Sequence, residues 1–272
     1  MPAHLLPLSF NGDNYAQLFH TLDKFLDYAL TLALKERPTA RQGEKIKFCY
    51  IGTASHDSLV EDIFFNGFTC LKFGLCNIGV SVSKLSLTTS WSPNAIEEHI
   101  CEQDILFFGG GDTEFMLKTW QETGFENILK TLKEIDCLPI IMGLSAGGIF
   151  LFESAISLND GKNGDEYKLL KPGYNWIPNS FCPHADAQVE ATYEFDGDNK
   201  HYWISAFEMA IKSGKSPAGY AVPDDCMLHF HGEKLVGAFS TREEIQYGYV
   251  TQEGTEWRNP QLLIARELEQ KS

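Results

Sequence analysis

The chain has 272 residues, 43% of them hydrophobic and 22% charged, an ordinary globular composition with enough length for one sizeable α/β core. Thirty-seven acidic against 22 basic side chains leave a net charge of −15, and with no basic cluster in the chain this argues against nucleic acid or an anionic membrane as a partner. No run approaches the ~20 apolar residues of a membrane span, the N-terminal segment does not read as a signal peptide, and the seven scattered Cys form no Cys-x-x-Cys pair, so a single cytoplasmic domain over 1–272 is expected.

Along the chain, strand-like and helix-like periods alternate, which predicts a mainly parallel sheet covered on both faces by helices. Leu5 to Phe10 reads as a first strand, and Tyr15 to Leu34 carries a helical apolar stripe. Ile46 to Gly52 reads as a buried strand, Ser58 to Phe68 as a helix and Val80 to Leu87 as a strand. Ser92 opens a helix over Pro93 to Ile100. Ile105 to Phe108 is a short buried strand running into Gly109-Gly110-Gly111-Asp112-Thr113, followed by a helical stretch from Glu114 to Leu132 that breaks near Gly124. Leu138 to Met142 is the next strand. Beyond it, Asn159 to Asp165 reads as a loop and Pro172 to Asp186 as irregular chain. Met227 to Phe230 and Lys234 to Phe239, around His231-Gly232-Glu233, predict a hairpin, and Tyr247 to Thr251 a last strand.

The strand ending near Met142 leads into Gly143-Leu144-Ser145-Ala146-Gly147-Gly148. A buried strand, a single Ser among small residues and a renewed apolar run form the pattern of a nucleophile elbow, in which the hydroxyl stands above the strand's carboxyl end. The helix behind Ser145 is expected to offer N–H groups and a positive dipole end to an oxyanion. Gly109 to Gly111, between a strand and a helix, can bring further N–H groups close to a substrate oxygen. A dinucleotide fingerprint would need Gly where Glu114 stands.

Of the eight His, His184 is the candidate base. It lies in Phe181-Cys182-Pro183-His184-Ala185-Asp186, where an apolar residue and a Pro hold it at a strand end. Cys182, His184 and Asp186 could be read as zinc ligands, but a second, distant ligand pair is missing, so no metal and no cofactor is expected.

Together these segments resemble peptidase family S51, which holds peptidase E (α-aspartyl dipeptidase) and, more remotely, cyanophycinase. The resemblance rests on Gly109-Gly110-Gly111-Asp112-Thr113, the Gly143 to Gly148 elbow, Asn159-Asp160 and Pro183-His184, in that order, and spans about Lys45 to Phe239. It implies a flavodoxin-like, class I glutamine amidotransferase-like three-layer sandwich with a C-terminal β-hairpin. It also implies a serine peptidase with Ser145 as nucleophile, His184 as base and Asp160 as the orienting acid, Asp186 and Asp224 being the alternatives. Gly110 or Gly111, with Ala146, match the oxyanion donors. The family's downstream Gly-x-x-Glu-Gly appears as Gly219-Tyr220-Ala221-Val222-Pro223-Asp224-Asp225, which keeps an acidic residue. The implied substrate is a short peptide, with N-terminal Asp as one option, read by Lys162, Lys168, Lys171 or Arg242 in a pocket closed by Gly161 to Trp176. A monomer or homodimer is expected. An amidotransferase-like enzyme and a non-catalytic relative that binds a small ligand are the other readings.

Overall fold

A computed structural model describes residues 3–10, 15–36, 43–56, 59–70, 79–88, 91–161, 164–193, 196–197 and 199–263. In chain order its elements begin with β1 (His4–Ser9), α1 (Tyr15–Glu36) and β2 (Lys47–Ile51), then α2 (Leu59–Cys70), β3 (Ser81–Lys84), α3 (Pro93–Cys101) and β4 (Ile105–Phe108). There follow α4 (Thr113–Thr123), α5 (Phe125–Glu134), β5 (Ile140–Leu144), α6 (Ala146–Ile149), β6 (Phe152–Gly161), β7 (Gly164–Leu170) and β8 (Ile177–Cys182). The last part holds β9 (Ala191–Tyr193), β10 (Lys200–His201), α7 (Trp203–Lys212), β11 (Gly219–Ala221), β12 (Cys226–His231), β13 (Lys234–Ser240), β14 (Tyr247–Val250), β15 (Thr255–Arg258) and β16 (Gln261–Leu262).

The strands form two eight-stranded sheets, one in the order β16-β13-β12-β1-β5-β4-β2-β3 and the other β10-β9-β7-β6-β8-β11-β14-β15. In the first, β1, β5, β4, β2 and β3 run parallel. The hairpin β12–β13 joins it antiparallel along β1. Parallel strands buried on both faces need apolar residues at every position, and β4 supplies them: Ile105, Leu106, Phe107 and Phe108 are all fully buried. Alternation splits them between two cores. Phe48, Tyr50, Ile105, Phe107 and Met142 pack with Phe25 and Ala29 of α1. Cys49, Ile51, Leu106, Phe108 and Ile141 face the other way, against α3 to α6 and the second sheet.

Local chemistry sets the helix ends. Ser92 accepts the Ala95 N–H at 3.2 Å to open α3, and Asp112 accepts the Phe115 N–H at 2.9 Å to open α4. Gly124, at φ 76°, ends α4 in the left-handed conformation and starts α5, the break expected there. α5 then buries Phe125, Ile128, Leu129 and Leu132, one face of a helix.

The α/β sandwich and the C-terminal hairpin stand as the sequence implied, whereas the second sheet does not appear in that reading. The stretch read as a loop, Asn159 to Asp165, carries the ends of β6 and β7, paired from Ala155↔Leu170 to Gly161↔Gly164. The stretch read as irregular contains β8, which runs parallel to both β6 and β11. The physical reason is visible in the side chains. Ser154, Ser157 and Ser180 are buried polar residues that interrupt the apolar runs and find partners far along the chain inside the protein, Ser154 with Ser216 at 2.7 Å and Ser180 with the Pro217 carbonyl at 2.6 Å. One face of this sheet packs Phe152, Ile177, Phe181 and Tyr220 into the inter-sheet core. The opposite face packs Ile156, Cys182, Ala221 and Val250 against α7.

Candidate active site

Ser145 follows β5 at φ 50° and ψ −114°, the strained turn of a nucleophile elbow. Its N–H donates to the Leu8 carbonyl at 3.0 Å, which fixes the turn to the end of β1. The flanking Gly are needed for closeness: a Cβ on Gly143 would lie 2.1 Å from the Gly147 carbonyl oxygen, and one on Gly147 would lie 2.3 Å from that of Phe108. The helix behind the Ser spans only Ala146–Ile149. One turn sums few peptide dipoles, so what this segment offers an oxyanion is the N–H of Ala146.

The Gly-rich turn after β4 sits beside the elbow. Gly109 donates to the Ile51 carbonyl at 3.0 Å and Asp112 to the Ala54 carbonyl at 2.8 Å, so the turn is anchored at both ends. The Gly110 carbonyl accepts from the Ser55 hydroxyl at 3.1 Å, and the Gly110 N–H has no acceptor among the described residues. A Cβ on Gly110 would stand 3.4 Å from Ser145 Cβ, whereas one on Gly111 would meet the Ala54 carbonyl oxygen at 2.2 Å. Of the two candidates, Gly110 borders the nucleophile and Gly111 packs on the Thr53–Ser55 turn.

His184 comes from the second sheet. Pairing between β8 and β11 continues past both strand ends, with Val222 N–H donating to the Cys182 carbonyl at 2.8 Å and Ala185 N–H to the Val222 carbonyl at 3.1 Å. That continuation carries His184 and Asp224 to the same place. His184 Nε2 lies 2.9 Å from Ser145 Oγ, and Nδ1 lies 2.7 Å from Asp224 Oδ1. A carboxylate at Nδ1 requires the proton there, which leaves Nε2 free to accept the Ser145 proton. Both the His184 and the Asp224 side chains are 16% exposed, and the Trp203 ring stands 5.5 Å from the imidazole.

The acid at Nδ1 is therefore Asp224. Asp160, the position the resemblance implied, lies on β6 opposite Asp165, and its side chain is outside the described residues. Asp224 is one of the two alternatives that the sequence offered, through the acidic residue kept after Gly219. Asp186 works one step further out: its Oδ1 accepts the Asp224 N–H at 2.8 Å and its Oδ2 the Arg242 guanidinium at 3.2 Å. Arg242 also reaches Asp225 at 3.5 Å. Burial pushes the Asp225 carboxyl above the usual range in spite of that cation.

The zinc reading finds no support in this donor set. Burial holds the Cys182 thiol well above its usual pKa, both His184 nitrogens have partners, and both Asp186 oxygens are engaged. Among the described residues no group of three His, Cys, Asp or Glu could hold a metal ion, and no helix is long and apolar enough to cross a membrane. Of the cations considered for substrate charge, Arg242 is clamped as above, Lys168 is 3.6 Å from Glu114, Lys171 is exposed and Lys162 lies outside the described residues.

The chain is similar to known peptidases over most of its length. The sequence profile of Peptidase family S51 matches residues 32–237. A curated relative named uncharacterized peptidase YgaJ, from Bacillus subtilis (strain 168), is 27% identical over 216 residues, 79% of each chain. Among solved structures, a peptidase from an acI-B1 Actinobacterium aligns with a TM-score of 0.62 at 13% identity, covering 96% of this chain and 95% of its own. A putative peptidase E protein from Listeria monocytogenes EGD-e aligns at 20% identity with a TM-score of 0.38, over 57% of this chain and 64% of its own.

Proposed function

The chain belongs to peptidase family S51, and on that premise we propose that it is a serine peptidase that hydrolyses short peptides through an acyl-enzyme on Ser145. The observation that carries this reading is the continuous relay from Ser145 Oγ to His184 Nε2 at 2.9 Å and from Nδ1 to Asp224 Oδ1 at 2.7 Å. As Ser145 Oγ attacks the scissile carbonyl, His184 takes its proton and the carbonyl oxygen becomes an oxyanion facing the N–H groups of Gly110 and Ala146. His184 then gives that proton to the departing amine and takes one from the water that hydrolyses the ester. Asp224 holds the tautomer throughout and stabilises the imidazolium.

An amidotransferase-like reaction would favour Cys at position 145, because a hydroxyl is the poorer nucleophile without a positioned base. A protein that only binds a ligand has no need of a nucleophile, a base and an orienting acid in one hydrogen-bonded line. An N-terminal Asp would be read by a free cation or by N–H groups at the site, and among the described residues Arg242 and Lys168 are each paired with carboxylates. With those two cations engaged, the substrate we propose is a short peptide without an Asp requirement.

Asp-Leu, Glu-Leu, Ala-Leu and Lys-Leu assayed side by side test this. Wild type should cleave the panel with Asp-Leu and Ala-Leu within about tenfold in kcat/KM, and Ser145→Ala should be inactive with its Tm kept. Unchanged turnover by folded Ser145→Ala would sink the serine mechanism. A hundredfold preference for Asp-Leu, about 2.7 kcal/mol, would overturn the substrate part alone.

A further inference from the structure

Ser9 is the last residue of β1 and is fully buried. In the parallel pairing of β1 with β5, Leu8 stands opposite Leu144, so Ser9 and Ser145 leave neighbouring strand ends side by side. Yet the hydroxyl of Ser9 is directed to the second sheet's contribution to the site. Its Oγ accepts the backbone N–H of His184 at 2.8 Å, and its O–H donates to Asp224 Oδ1 at 2.8 Å. It also lies 3.2 Å from His184 Nδ1, a longer contact than the 2.7 Å from that nitrogen to Asp224.

We propose that Ser9 is a positioning residue for the acid and base, a strut that ties the His184–Asp224 pair to the strand next to the nucleophile. Two features of the pair call for such a tie. His184 sits at φ 54°, a left-handed backbone that a side-chain-bearing residue keeps only when its surroundings over-determine it. The Ser9 Oγ holds the N–H of that same peptide. Asp224 Oδ1 meanwhile receives two donors, His184 Nδ1 and the Ser9 hydroxyl, so the second donor fixes where the carboxylate presents its charge. Among the described residues no hydrogen bond joins Ser9 to the Ser145 hydroxyl or to His184 Nε2, and it acts through the pair.

The inference rests on Ser145 and His184 being the reacting groups, and its test separates the two claims. Ser9→Ala removes a donor to a charged oxygen, for which a drop of about 10- to 100-fold in kcat is expected, with KM within about twofold. The acidic limb of the kcat/KM profile should move to higher pH, because an Asp224 carboxylate that has lost one donor leans more fully on the imidazolium. Ser9→Thr, which keeps the hydroxyl, should restore the profile. If Ser9→Ala does not fold, Ser9→Cys, with a weaker donor and acceptor, carries the same measurement. A loss of activity that follows the folded fraction, with an unmoved pH profile, would make Ser9 merely structural and overturn the proposal. A second readout does not depend on turnover: the downfield Nδ1 proton of His184, identified by its loss in His184→Gln, should be present in Ser145→Ala and lost or shifted when Ser9→Ala is added. An unchanged resonance there overturns the strut even if the peptidase reading holds, and its loss supports the strut even if no peptide is cleaved.

Discussion

At the scale of single residues, the site depends on backbone conformations that its residue types do not favour. Ser145 at φ 50° and His184 at φ 54° both occupy the left-handed side, where a Cβ is crowded, and each is held by hydrogen bonds to β1. Holding two strained residues face to face fixes the 2.9 Å contact between them before substrate arrives. Asp224 completes the line, and Asp186 with Arg242 secures its backbone. Asp224→Asn should leave the fold intact but present an amide where Nδ1 needs an acceptor, favouring the wrong tautomer. By analogy with the effect of that change in serine proteases, kcat should fall by about 10⁴-fold. Asp160→Asn, made in parallel, should stay within about threefold of wild type. Equal, large losses in both variants would return the acid's role to Asp160.

At the scale of elements, legibility followed burial chemistry. β4 and β5 announced themselves because strands covered on both faces must be apolar throughout, and the elbow because Gly143 and Gly147 leave a mark wherever backbones touch. β6 and β8 stayed hidden because Ser154, Ser157 and Ser180 satisfy their hydroxyls inside the protein and so look like loop residues. Asp224 stood only as an alternative to Asp160 for a different reason. It stands 40 residues from His184, and only the parallel pairing of β8 with β11 joins them, a long-range fact that no local pattern carries. The opposite end of β1 supplies a prediction at this scale. There His229 on β12 lies 2.8 Å from His4 Nδ1 and 2.7 Å from the Tyr28 hydroxyl. Burial first, then His4, His231 and Lys35, pushes the His229 imidazole down to about 4. The unfolded chain thus binds a proton near the ordinary His value that the folded chain refuses. Stability should fall as pH drops from ~6.5 towards ~4, by about 1.4 kcal/mol per unit at most. Thermal unfolding from pH 7 to 4.5 should show this slope, and His229→Gln should flatten it; an equal slope in both proteins would assign it to other groups.

At the scale of the molecule, the site lies on the seam between two sheets. Ser9 ends one strand of the first and Ser145 follows another, and His184 and Asp224 follow strands of the second. Phe152 and Phe181 of the second sheet stack at 4.6 Å, and Phe152 and Tyr220 both make T-shaped contacts with Phe230 of the first, at 5.9 and 5.4 Å. This aromatic contact and the Ser9 hydrogen bonds both cross between the two sheets, so the placing of base against nucleophile is bound up with how the sheets pack. Covalent trapping tests most directly whether Ser145 is, as proposed, a nucleophile activated across this seam. Treated with a phosphonofluoridate, the intact protein should gain the mass of one adduct, carried on the peptide that contains Ser145. Labelling should vanish in Ser145→Ala and slow by at least about 100-fold in His184→Ala. An adduct that persists in folded Ser145→Ala, or a folded wild type that takes none, would contradict the account.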